Sequence, residues 1–212
     1  MLNQASEKIE QHSDLVWRKL TLSVNHSSQD LKLLTQRILF CLDNNLSEFS
    51  AGALQDLFLV LKDNGADLRL RMLKLINPLL NYNERKYFQQ QIAAERDSSL
   101  SQGCQYFSGS VLAINECELS ESDFLPMTSS FQNELEEAQY LIACGKLFLA
   151  KELLEASYSK NWTDSLLENE LQSFYFYTKD KKGLEQFIAK LPQSNNSGSN
   201  SWQALQKMAR NW

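Results

Sequence analysis

The chain has 212 residues and a formal net charge of −5, with 43% hydrophobic residues, seven Gly and three Pro. That length and apolar content suffice for a substantial core and point to a globular class, while abundant Leu, Gln, Glu and Lys favour helix, since straight-chain side chains keep most of their rotamer freedom there. No apolar run reaches the roughly 18 to 20 residues that span a bilayer, and the opening MLNQASEKIEQHSD lacks a basic stretch followed by an apolar one, so a cytoplasmic protein without membrane insertion is expected.

The first half reads as a succession of amphipathic helices. Ile9, Val16 and Leu20, with Trp17 beside them, predict a helix over 4–23, and Ser27-Ser28-Gln29-Asp30 reads as a capping box for the next. Leu31, Leu34, Ile38 and Leu42 lie at helical spacing, with a stop at Asp43-Asn44-Asn45. A third helix over 51–62 carries Leu54, Leu57, Phe58 and Leu61 and stops at Asn64-Gly65. A fourth over 67–80 carries Leu70, Leu73 and Ile76, with Pro78 able to end or kink it, and a fifth over 84–96 presents Tyr87, Phe88 and Ile92. Short connections make consecutive helices antiparallel, as in a bundle or an α-solenoid.

Between residues 99 and 130 the texture changes to a Ser-rich stretch with scattered Tyr106, Phe107, Val111, Leu112, Ile114, Phe124 and Leu125. It is too apolar for a free linker and is expected to lie on one of the helical halves, with a short strand or hairpin at 105–115 as an alternative and Ser120 to Asp123 as a cap. From Asp97 to Gly145 there are eight acidic residues and no Lys or Arg, whereas residues 1–98 hold twelve of each sign. An acidic centre would repel phosphate, which disfavours nucleic acid there.

Helical periodicity returns over 131–192, and after Pro192 the polar QSNNSGSNS is a spacer before SWQALQKMARNW, whose Trp202, Leu205 and Met208 or Ala209 form an apolar stripe that could pack on the chain itself or on a partner. Four segments result: 1–98 helical, 99–130 acidic connection, 131–192 helical hairpins, and 193–212 spacer with a short helix. The whole is expected to be all-α.

An offset of 33 residues sets Leu141 to Gly145 against Phe174 to Thr178, Ala150 against Gly183 and Leu154 against Phe187. Such a period is that of helix–turn–helix repeats, and the stretch from Leu135 to Leu191 resembles tandem tetratricopeptide repeats, with Ala138, Gly145 and Ala150 at small positions and Leu154 at a large apolar one. Small side chains there let paired helices approach closely. More narrowly, ELEEAQYLIACGKLFLAKELLEA followed by LENELQSFYFYTKDKKGLEQFIAKL resembles the repeat region of FimV-type (HubP-type) polar hub proteins. Trp162 stands where a repeat usually ends in Pro, and Gly183 weakens its helix by about 1 kcal/mol relative to Ala.

The resemblance implies a groove lined by the first helix of each hairpin that receives another protein. Carried over by position, the groove residues are Leu135, Gln139, Ile142 and Ala143, then Glu168, Gln172, Tyr175 and Phe176, with an exposed Tyr175 as the main contact and Phe174 and Phe176 leaning towards core. It also implies assembly work at a cell pole, pilus or flagellum in a bacterium, and self-association is compatible with it. The expected function is thus a non-enzymatic adaptor or scaffold component. The alternative is a nucleic-acid-associated regulator using Arg69, Arg71, Lys74, Arg85 and Lys86 as a basic face.

Catalytic patterns are absent: no Gly-rich phosphate loop, no nucleophile elbow and no His-Glu-x-x-His. The histidines His12 and His26 lie far in sequence from Cys41, Cys104, Cys117 and Cys144, none of which form a C-x-x-C pair, so free buried thiols are expected, with no metal, cofactor or disulfide framework.

Overall fold

The computed structural model describes residues 2–62, 64–94, 105–116, 131–191 and 199–212. Among them every regular element is a helix: α1 (Leu2–His26), α2 (Leu31–Asp43), α3 (Ser47–Leu61), α4 (Ala66–Ile76), α5 (Tyr82–Ala94), a single turn α6 (Ala113–Glu116), α7 (Glu134–Ala143), α8 (Leu147–Lys160), α9 (Ser165–Thr178), α10 (Lys181–Ile188) and α11 (Ser199–Ala209). The alternative of a short strand or hairpin at 105–115 is therefore not what forms there. Ser120 to Asp123, Phe124, Leu125, Cys104, Cys117 and residues 193–198 of the expected spacer lie outside the described residues, while its last three, Ser199 to Ser201, are the first residues of α11.

Local chemistry explains most boundaries. Asp30, the last residue of the expected box, is the cap of α2, its carboxylate accepting the Lys32 and Leu33 N–H groups at 2.9 and 3.2 Å. Helix α3 starts four residues before Ala51, because Ser47-Glu48-Phe49-Ser50, polar enough to read as a loop, closes a first turn in which the Ser50 hydroxyl donates to Ser47 O at 2.9 Å. Helix α4 ends at Ile76 and does not reach Leu80: Asn77 keeps helical dihedrals, φ −48° and ψ −36°, but Pro78 has no N–H to continue the ladder, and the chain closes in a turn with Leu79 N–H donating to Ile76 O at 2.9 Å. Asn81 and Glu84 then cap α5 reciprocally, Glu84 N–H donating to Asn81 Oδ1 at 3.0 Å and Asn81 N–H to Glu84 Oε2 at 2.8 Å.

Two corners are built alike. Asn45 and Gly145 both take positive φ, 54° and 84°. In each the residue that follows donates back into the preceding helix, Leu46 N–H to Cys41 O and Lys146 N–H to Leu141 O, both at 2.9 Å. This is the six-to-one bond of a helix end that turns sharply into the next helix. It produces the hairpins α2/α3 and α7/α8. Lys179, at φ 52°, forms the corner between α9 and α10. Gly145 and Lys179 are 34 residues apart, so the backbone pairs the hairpins one residue away from the 33-residue alignment.

Helix α1 packs against α2 on one side and against α7 and α9 on another. Its Trp17, Thr21, Leu22 and Val24 are buried, and Trp17 Nε1–H donates to Ala143 O at the end of α7 at 3.0 Å. Among the described residues, the buried apolar side chains of both helical halves, Cys144 aside, belong to one cluster running from Trp17 to Ala209.

The acidic connection contributes to that core. Phe107, Ser110, Val111 and Ala113 are buried, with the Phe107 ring 5.0 Å from Tyr87 and 5.5 Å from Phe88. Beneath them α2 and α3 place a fully buried ion pair, Arg37 Nη1 to Asp56 Oδ2 at 2.5 Å, with Arg37 also 4.7 Å from the Trp17 ring.

Candidate docking cleft beside the second hairpin

Helix α9 is opened by Asp164, whose carboxylate accepts the N–H groups of Leu166 and Leu167, and it buries Leu167, Leu171, Phe174, Tyr175 and Thr178. Those positions recur at three- and four-residue steps and so share one face. The sequence-expected contact Tyr175 stands on that face, wholly buried, and its hydroxyl donates to Glu155 Oε1 at 2.7 Å. Burial, reinforced by Glu155, raises its pKa. Tyr175 is thus a core residue and not an exposed anchor. Helical geometry supplies the reason: the phenol is held in an aromatic group with Phe187 and Trp202, whose ring centroids lie 6.1 and 6.5 Å away.

The other expected residues divide by location. Ile142 is fully buried and cannot touch a partner; Leu135 is half-buried and packed on the core. Gln139 donates to Glu170 Oε2 at 3.0 Å, and the other Glu170 oxygen meets Arg18 Nε of α1 at 3.3 Å. Helix α1 lies against both α7 and α9 and so covers part of the surface on which a ligand was expected, leaving Gln139 and Ala143 on a cleft beside α1 and Gln172 on another beside α11. Glu168 and Gln172 are tied to α11 instead: Ser201 Oγ donates to Glu168 Oε1 at 2.6 Å, and Gln172 Nε2–H donates to Ser201 Oγ at 2.9 Å.

Helix α11 docks on its own chain through Trp202, Leu205 and Ala209, all buried, which settles the stripe on Ala209 and leaves Met208 outward and 50% exposed. Between α1, α9 and α11 an open cleft remains, lined by Lys19, Gln172, Phe176, Ala204, Leu205 and Met208 among others. Phe176, expected to lean towards core, is 42% exposed there, with the Trp212 ring 6.4 Å away at an interplanar angle of 76°. Sequence reasoning missed the cleft because Phe176 sits in a run of four aromatics. The signal that finds it is phase: one residue past Tyr175 rotates a side chain by about 100° off the buried stripe. One charged side chain, Lys19, lines the cleft, its ammonium 5.7 Å from the Tyr177 ring; Lys207 of α11 and Arg210 just after it are exposed but not part of the lining.

The basic face of the alternative reading is broken up. Arg69 is buried, its guanidinium 5.5 Å from the Phe58 ring, while Arg85 Nε–H donates to Asn81 O at 3.3 Å. Arg71, Lys74 and Lys86 are exposed. Cys41 and Cys144 are free and buried, burial pushing the Cys41 thiol up to about 12 against the opposing charge of Arg37. No described helix is long and apolar enough to cross a membrane.

No protein-family model, curated protein or solved structure matches this chain.

Proposed function

We propose that the chain is a non-enzymatic protein–protein interaction module of tetratricopeptide-like hairpins, and that it receives its partner in the cleft between α1, α9 and α11. The observation that carries this reading is the pair Phe176 and Met208, 42% and 50% exposed on facing helices of one concave surface. Large apolar side chains that stay accessible in a cleft with polar walls fit a recognition surface. The hairpin corners at Gly145 and Lys179, 34 residues apart, support the repeat reading, as does the packing of α8 on both α7 and α9.

The partner is an amphipathic helix with an acidic edge. Its apolar stripe would meet Phe176, Leu205 and Met208, and a carboxylate at its edge would face Lys19. The titratable groups that the fold brings together have structural work: Lys151 holds Asp180 at 2.6 Å and Lys160 holds Glu134 at 2.8 Å. A role in polar, pilus or flagellar assembly, as in FimV-type hubs, belongs to the same proposal and specifies where the partner is to be sought.

The test is site-specific photocrosslinking in cells with a benzophenone amino acid at position 176 and, as an exposed control on α8, at position 148, where the native Phe148 is 70% exposed. Crosslinks from position 176 alone to an acidic, helical segment of one protein are expected. Equal products from both positions, or none from 176 while 148 crosslinks a protein, would overturn the assignment.

A further inference from the structure

The connection between the two helical halves is held in the manner of a bound peptide. Gln55 of α3 pairs with both polar groups of its main chain, Nε2–H donating to Gln105 O and Oε1 accepting the Phe107 N–H at 3.1 Å. Arg37 Nη2–H donates to Gly109 O at 2.6 Å, and Gly109 N–H donates to Cys144 O at 2.9 Å. The Asp56 carboxylate accepts the Val111 and Leu112 N–H groups at 3.1 and 3.0 Å and the Ser110 hydroxyl at 2.6 Å. Buried side chains of α2 and α3 thus bind the main chain of a non-helical segment at Gln105, Phe107, Gly109, Val111 and Leu112, and hydrogen bonds to the main chain are how peptide grooves gain affinity.

The floor of that groove is made of glycine. A Cβ on Gly52 would lie 2.2 Å from Ser108 O and 2.3 Å from Ser110 N, and one on Gly145 would lie 2.1 Å from Ser110 O. Both glycines therefore admit a peptide backbone at a distance no side chain would allow. The occupant is constrained in turn. Gly109 has φ +90° with Phe49 Cβ 3.0 Å from its own missing Cβ, Ser110 is fully buried against Asp56, and Phe107 and Val111 fill apolar sites.

We infer that the α2–α3 face carrying Arg37, Gly52, Gln55 and Asp56, closed by the Gly145 corner, is a peptide-binding groove with residues 105–112 as its resident ligand. Its ligand class is a non-helical segment of the pattern aromatic, any, Gly, Ser, aliphatic that turns at its Gly, as Phe107 to Val111 does with Ser110 N–H donating to Phe107 O at 3.0 Å. The same pattern supplied from another chain binds there once the resident segment leaves. This site is separate from the α1–α9–α11 cleft and stands or falls without it.

Gly109→Val tests the inference in the full-length protein, because it strains the resident segment at a positive φ and leaves every groove side chain unchanged. The probe is a fluorescein-labelled peptide of Gln105 to Ile114, QYFSGSVLAI, followed by anisotropy. Saturable binding to the Gly109→Val protein is expected at least tenfold tighter than to the unaltered protein, whose groove is filled. That binding should fall at least tenfold when Gln55→Leu is added to the protein, or when the peptide itself carries the Gly109→Val change. If Gly109→Val fails to fold alone, the peptide should restore its helical circular dichroism. Absence of binding to a folded variant, absence of rescue for an unfolded one, or binding indifferent to both control changes would overturn the inference.

Discussion

Arg37 and Asp56 show how much one buried pair can organise. Taking two charges out of water is costly, and here the cost is offset because each charge is multiply bonded: Asp56 also accepts from Ser110, Val111 and Leu112, and Arg37 also donates to Gly109. Asp56→Asn should then cost about 3–5 kcal/mol in chemical denaturation, because it leaves a guanidinium buried without its counter-charge. A loss under about 1 kcal/mol would contradict that reading. The two buried thiols carry a second expectation at this scale. With Cys41 pushed up to about 12 and Cys144 also raised by burial, neither should be alkylated by iodoacetamide at pH 8 in the native state, as read by peptide mass spectrometry. Their burial as free thiols was legible from spacing alone. The Arg37–Asp56 pair was not, since neither residue type advertises a buried position and the two are brought together only by the hairpin. Tyr175 failed for a related reason: the sequence run Phe174 to Tyr177 gives no phase, and only the buried neighbours of α9 decide which ring faces inward.

Helix ends are where the chain is most readable. Asp30, Asn133, Asp164 and Asp180 each accept main-chain N–H groups at the start of a helix, and each is a residue type that favours that place. Asp164→Ala should therefore cost about 1 kcal/mol by denaturant titration. Asp180 adds a pH dependence. Partial burial would raise its pKa, but the Lys151 ammonium and the Gly183 N–H outweigh burial and hold it below the ordinary carboxylate value. A carboxyl whose folded pKa is the lower one stabilises the fold above its unfolded value, near 3.9, and that contribution is lost as pH falls through the folded value. Stability should thus decline below about pH 4, and Asp180→Asn should make the decline shallower. At Gly145, with φ +84° and Ser110 O where a Cβ would go, alanine should destabilise by more than the roughly 1 kcal/mol of conformational cost alone. The sequence marked Gly145 as a close approach, though between the wrong elements: its missing side chain makes room for the connection and not for a helix. The start of α3 was hidden because a polar first turn looks like a loop until its helix is seen to be buried almost all round.

At the scale of the molecule α1 joins the halves. Amphipathic periodicity identified it as a helix, but a helix with apolar residues on more than one side carries no label saying which partners it meets; here α2 takes one side and α7 with α9 another. Because the buried cluster is shared, urea unfolding followed by tryptophan fluorescence and by helical circular dichroism should give coincident transitions, and two separated midpoints would contradict a shared core. The same packing covers part of the surface on which repeat resemblance placed a ligand and leaves its free apolar portion, Phe176, at the edge of α9 facing α11. The most direct test is the affinity of the crosslinked partner, by calorimetry, for three purified proteins: unaltered, Phe176→Ser with Met208→Ser, and Tyr175→Phe. The double variant is expected to bind at least tenfold more weakly, about 1.4 kcal/mol, with Tyr175→Phe unchanged. Undiminished binding by the double variant, or a loss confined to Tyr175→Phe, would contradict the cleft and return the site to the buried face of α9.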